Sequence, residues 1–151
     1  MNRASISAAV LACVFATLVG CHSYETRSYD ISVHNATQSP ITIWLTKDGP
    51  PYEDGWWSPE DLAMLSPKQN AAREVGGVIV EPGKTADAPN RKGRFEPETN
   101  AILRVYRTAS GFNDLLAIGS NNAARTDVKL RPGRNDLEVD DAGVRPRGES
   151  R

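Results

Sequence analysis

The chain has 151 residues, with 18 Lys and Arg against 19 Asp and Glu and a formal net charge of −1. That length suits one domain, and the charge balance leaves no global basic field of the kind that draws in nucleic acid. The 12 Gly and 10 Pro favour many short segments separated by turns over long helices.

Arg3 is the sole charge among the first twenty residues, and residues 4–20 carry Ile6, Val10, Leu11, Val14, Phe15, Leu18 and Val19 among small side chains. A short basic region followed by an apolar region is the layout of a secretory signal. The stretch is short and rich in Ala, Ser and Thr, whereas a bilayer span needs about 20 mostly apolar residues. It closes on Leu18-Val19-Gly20-Cys21, and this run resembles the lipobox of bacterial lipoproteins.

The resemblance covers residues 1–21 only and makes residues 1–20 a type II signal peptide. It implies that the Cys21 thiol takes a diacylglycerol, that a peptidase cuts before Cys21, and that the new amino group receives a further acyl chain such as palmitate. One chain binds a membrane marginally, but two or more, at about 0.8 kcal/mol per buried methylene, hold a protein stably. An ordinary cleaved signal with a coincidental Cys, or an uncleaved anchor helix, are the other readings of the same residues.

On the lipoprotein reading, Cys13 leaves with the signal peptide. Losing Arg3 leaves 17 basic and 19 acidic residues, a net charge of −2. Cys21 is then the last cysteine, so no disulfide is expected even in a compartment that permits one. His22 stands where some bacteria place an Asp for inner-membrane retention. The expected location is therefore the cell envelope, at the periplasmic face of the outer membrane or the cell surface.

Residues 21–28 read as a lipidated tether and 29–141 as a β-sandwich domain. Tyr29, Ile31 and Val33 alternate with polar residues, and Ile41, Ile43 and Leu45 recur at the same spacing on one face of the next stretch. Period two with β-branched side chains predicts half-buried strands, and turn residues between them suggest a hairpin. Trp44 falls on the face opposite Ile43. After a long loop over 47–57, Ser58 is placed to cap a helix, with Pro59 at its first position and Glu60 and Asp61 at its positive end. Trp57 and Leu62 occupy hydrophobic-staple positions, and Pro67 limits the helix to about two turns.

Residues 75–81 and 85–88 read as strands around the turn at Pro82 and Gly83. Residues 89–100 read as a polar loop. Residues 101–108 read as a central strand, with Leu103 and Val105 on one face and Ile102 and Tyr106 on the other. Residues 114–120 read as a returning strand, with a turn at Asn121 and Asn122. Residues 127–131 and 136–140 read as a final hairpin around Pro132 and Gly133, in which Val128 and Leu130 face Leu137 and Val139. Val78 to Lys84 and Val128 to Arg134 thus repeat one pattern, a strand, a Pro-Gly turn and a basic residue. Residues 142–151 read as a disordered tail. About eight short strands and one short helix predict an all-β fold, an antiparallel sandwich, with a barrel as the alternative.

Catalytic chemistry needs a positioned nucleophile, base or metal. His22 lies in the tether, and His34 falls on the outward face of the first strand. No nucleophile elbow, paired His, Cys pair or phosphate loop stands in the sequence, so no cofactor and no enzymatic activity are expected. Asp136, Glu138 and Asp140, with Asp141, read as a solvated face that protects a strand edge rather than a calcium site. Arg91, Lys92 and Arg94 form a basic cluster that suits anionic lipid or glycan, or simply solvent.

The aromatic loop with Tyr52, Trp56 and Trp57 is the candidate ligand surface, since aromatic rings stack on sugars and anchor interfaces. Packing is the competing role: Trp57 as the helix staple, Trp56 as a cap on the open end of the sandwich. The sequence therefore points to a membrane-anchored envelope lipoprotein with a non-catalytic interaction module. Its expected partners are the membrane through Cys21 and an envelope protein or glycan, with no nucleic acid. A carbohydrate or small-ligand module using the aromatic loop is the alternative.

Overall fold

The computed structural model describes residues 23–53, 55–64, 77–118 and 124–148. The signal segment, Cys21, His22, the helix stop at Pro67 and the turn at Asn121 and Asn122 lie outside them. The described residues form an all-β sandwich. Its strands are β1 (Glu25–Asn35), β2 (Ile41–Lys47), β3 (Gly77–Val80), β4 (Thr85–Phe95), β5 (Ala101–Tyr106), β6 (Arg125–Lys129), β7 (Gly133–Asp140) and β8 (Gly143–Pro146), with helices α1 (Pro59–Met64) and α2 (Phe112–Ile118). One sheet has the order β4-β1-β7-β8 and the other β3-β2-β5-β6, so the strands form two separate sheets rather than one barrel.

The alternation read in the sequence is the alternation that packs. Tyr29, Ile31 and Val33 of β1 and Leu137 and Val139 of β7 meet Ile41 and Ile43 of β2 and Leu103 and Val105 of β5 in one core. Val128 packs against the same core, and Leu130 is part of it. The expected hairpins, however, are not formed. β1 pairs with β4 and β7, whereas β2 pairs with β3 and β5. β3 and β4 also lie in different sheets, as do β6 and β7. Both Pro-Gly turns therefore carry the chain from one sheet to the other, with Gly83 at φ +71° and Gly133 at φ +93°. Such positive φ values are cheap only for glycine. Period two reports which face of a strand is buried, and a crossing turn satisfies that as well as a hairpin does.

Asn35 shows how the crossings are held. It continues the inward row of Tyr29, Ile31 and Val33 and is fully buried. Its Nδ2 donates to the carbonyls of Ser39 (2.9 Å) and Val80 (2.8 Å), and its Oδ1 accepts from the Thr37 N–H (2.9 Å) and hydroxyl (2.7 Å). Its backbone meets the second crossing: its N–H donates to Lys84 and its carbonyl accepts from Gly83. A buried amide is tolerable because its hydrogen-bonding capacity is filled, and here one side chain ties two crossings together.

Four further expectations are corrected. The β1–β7 pair is parallel, so the first sheet is mixed. The strand expected over 114–120 is not formed at its described residues, 114–118: α2 occupies Phe112–Ile118. Phe112, Leu115 and Ile118 recur at helical spacing, the Asp114 carboxylate accepts from the Gly111 N–H, and Leu115 N–H closes the first turn on Gly111. A short apolar run is ambiguous between helix and strand until caps decide it. β4 continues to Phe95 through the stretch expected to be a loop, with an irregularity opposite Tyr29 and Ile31. It lies at a sheet edge, where Pro89 needs no ladder partner on its missing N–H. Finally, the expected tail contains β8, in which Val144 packs on the core and Arg145 pairs with Glu138 and Asp140. One inward apolar residue and a charged outer face are enough for so short an edge strand.

The outer face of the second sheet carries a third layer. Trp44 and Tyr106 pack there with Leu62 of α1 and Leu115 of α2, joined by Trp57, Phe112 and Ile118. The start of α1 is as the sequence implies: Ser58 Oγ accepts from the Asp61 N–H (3.1 Å) and Asp61 Oδ2 accepts from the Ser58 N–H (3.0 Å). This is a reciprocal capping box with Asp in the usual Glu position.

Candidate functional site

The long loop between β2 and α1 lies against the end of β4, and its three aromatic residues take different positions. Trp56 is a core residue, 2% exposed. Its ring meets Phe95 edge-on at 5.3 Å and Tyr29 at 5.9 Å, and its Nε1 donates to the Lys92 carbonyl at 3.0 Å. Gly93 makes room for it: a Cβ there would fall 2.8 Å from the Trp56 indole. Trp56 therefore takes the packing role and is corrected out of the ligand surface, because it fills the inner face that β4 leaves empty at Gly93.

Tyr52 and Trp57 are brought together instead. Their rings stack at 5.8 Å with an interplanar angle of 19°, and Tyr52 remains 53% exposed. Trp57 is half-buried against the helix-side cluster, and its carbonyl accepts from Trp44 Nε1 at 2.8 Å. The result is a shallow aromatic platform with one outward face.

The base of this loop holds a buried cation that sequence reading missed. Lys47 has a fully buried side chain. Its Nζ lies 5.1 Å from the Phe95 ring centroid, donates to the Arg94 carbonyl at 2.9 Å and pairs with Glu53 Oε1 at 3.3 Å. Burial pushes the Lys47 ammonium below its usual range, and Glu53 opposes that by favouring the charged form. Glu53 in turn accepts from the Arg94 N–H (2.7 Å) and Nε (3.2 Å). Burial alone raises the Glu53 carboxyl, but the Arg94 hydrogen bonds and Lys47 outweigh it and hold the group below the ordinary value. The signal was present in the sequence: Lys47 continues the inward row Ile41, Ile43, Leu45.

The basic cluster is divided by the same strand. Arg91 Nη2 donates to the Gly55 carbonyl at 3.2 Å and so secures the loop, whereas Lys92 and Arg94 are exposed. Across the molecule, Glu60 of α1 joins Arg104 and Arg125, and Arg125 also grips Asp127 through two contacts of 2.7 Å. Burial would raise the Glu60 carboxyl, but the Arg104 hydrogen bond and charge hold it below the ordinary value. These charges fasten the helix layer to the second sheet.

The remaining candidates sit on the open face of the first sheet. His34 Nδ1 lies 3.1 Å from the Thr85 hydroxyl, and Asp136, Glu138 and Asp140 pair with Arg134 and Arg145. Asp141 is exposed. Among the described residues, no group of three or more His, Cys, Asp or Glu is arranged to hold a metal ion, and no helix is long and apolar enough to cross a membrane. No family model matches the chain, and comparison with curated proteins and with solved structures finds no match.

Proposed function

We propose that the protein is a lipid-anchored envelope protein whose sandwich is a non-catalytic interaction module held at a membrane surface. The observation that carries this reading is the uncharged stretch closing on Leu18-Val19-Gly20-Cys21. The absence of any cysteine after Cys21 supports it, because the domain residues then offer the thiol no disulfide partner to compete with acylation. The outer membrane, at its periplasmic face or on the cell surface, is the proposed location. Envelope protein or glycan is the proposed partner.

The test is to express the wild type and Cys21→Ser with labelled palmitate and to fractionate the cells. The wild type is expected to take up label and to sediment with membranes. Cys21→Ser is expected to lose the label and persist as an uncut precursor. Label that persists in Cys21→Ser, or none in the wild type, overturns the proposal.

A second reading is favoured by one observation, the Tyr52–Trp57 stack with its exposed Tyr52 face. A flat aromatic face suits the apolar face of a sugar ring, so glycan binding at this platform is the alternative role. It rests on Tyr52 and Trp57, without Trp56.

A further inference from the structure

We propose that the end of the sandwich formed by the start of β1 and the end of β4 is a membrane-contacting surface, with Tyr24, Lys92 and Arg94 set against phospholipid headgroups. This inference rests on the lipid anchor at Cys21. The geometry beyond that anchor belongs to the described residues.

β1 begins at Glu25, four residues after Cys21. Fully extended, four residues reach about 14 Å at most, so acyl chains on Cys21 keep the start of β1 close to the headgroups. The register then decides what else lies there. Glu25, Thr26, Arg27 and Ser28 pair with Phe95, Arg94, Gly93 and Lys92. Pairing with β7 starts only at Tyr29. The first four residues of β1 and the last residues of β4 therefore extend past β7 as a two-stranded ribbon.

The alternation that turns Gly93 and Phe95 into the core turns Lys92 and Arg94 outward, beside Tyr24, Thr26 and Ser28. Tyr24 is 41% exposed, and the Arg94 guanidinium, on a side chain 58% exposed, lies 5.8 Å from its ring centroid. Lys92 enters no ion pair among the described residues. Glu25 pairs with Arg27, Glu53 with Lys47 and Arg94, and Asp30 accepts from the Asn90 N–H. An amphipathic Tyr flanked by long cationic side chains suits the boundary between headgroups and water. There the ring meets the acyl boundary and the cations reach phosphate oxygens, which zwitterionic and anionic phospholipids share. The other end of β1 is roughly 30 Å away at the rise of an extended strand, and there the two crossing turns point to bulk solvent.

The test uses the acylated full-length protein in vesicles of phosphatidylethanolamine and phosphatidylglycerol containing a headgroup-attached quencher. A fluorophore is placed through Thr26→Cys or, at the far end, through Lys84→Cys. Mass measurement of the Cys21 peptide comes first. If Cys21 carries no acyl chain, the lipoprotein reading fails and this inference falls with it. If Cys21 is acylated, quenching at position 26 is expected to exceed that at position 84 several-fold, and equal or reversed quenching overturns the inference alone. Adding Lys92→Glu is expected to reduce quenching at position 26 at least two-fold. Unchanged quenching shows that the tether alone sets proximity and overturns the headgroup contact. Rescue by Lys92→Arg supports it.

Discussion

The outer faces of the two sheets are treated in opposite ways. On the β3-β2-β5-β6 sheet, Trp44 and Tyr106 point outward and are fully covered by α1 and α2. On the β4-β1-β7-β8 sheet, the outward positions of β1 and β7 include Asp30, Ser32, His34, Arg134, Asp136 and Glu138, and among the described residues no helix covers them. β2 is accordingly buried on both faces and β1 on one. The difference separates two kinds of information. The covered face is a second core whose residues answer to stability. The open face carries polar side chains that stay accessible in the folded protein, and the β1–β4 ribbon proposed to meet the membrane belongs to the same sheet.

The contrast can be broken most sharply on the covered face. Trp44→Ala is expected to cost about 3–5 kcal/mol, the range for deleting a buried large aromatic side chain, and to free the carbonyl of Trp57 from its indole donor. Chemical denaturation read by circular dichroism checks this, and a loss under 1 kcal/mol means the helix layer contributes little.

A smaller effect follows from pH. Glu60, which ties α1 to Arg104 and Arg125, and Glu53, which ties the aromatic loop to Arg94, both titrate below the ordinary value. Their contribution is complete above the unfolded-state value of about 4.3 and is lost as pH falls through the lower folded-state values. The urea midpoint is therefore expected to fall on acidification below that point, and Glu53→Gln is expected to flatten the fall. A midpoint that stays constant down to pH 3 contradicts this.

The smallest effect is expected on the open face. Arg134→Ala removes an exposed partner of Asp136 and is expected to leave the urea midpoint essentially unchanged, because an exposed pair is screened by solvent. A clearly lowered midpoint shows that the open face holds the fold as well.

Much of the fold was legible in the residues. The inward rows of β1, β2, β5 and β7 follow from period two, and the capped start of α1 follows from Ser58, Pro59 and Asp61. The candidate site was legible in part. The aromatic loop stood out by its residue types, and the buried Lys47 was signalled by its place in the Ile41, Ile43, Leu45 row. The identity of the exposed rings was not readable. Trp56 and Trp57 are adjacent and alike in local sequence, and what separates them is the space above Gly93, which belongs to another strand.

By itself, then, the sequence determined which strand faces are apolar and where the first helix starts, and it alone motivates the proposal at Cys21. These depend on neighbours along the chain, on spacing and on side-chain chemistry at one place. Only the tertiary structure decided which strands pair, that Pro82-Gly83 and Pro132-Gly133 cross between sheets, that Phe112–Ile118 is a helix, and that Trp56 is core while Tyr52 is surface. Each of those depends on volume and hydrogen-bond partners supplied from distant parts of the chain, such as the crossings that Asn35 ties together and the inner face that Trp56 fills for β4.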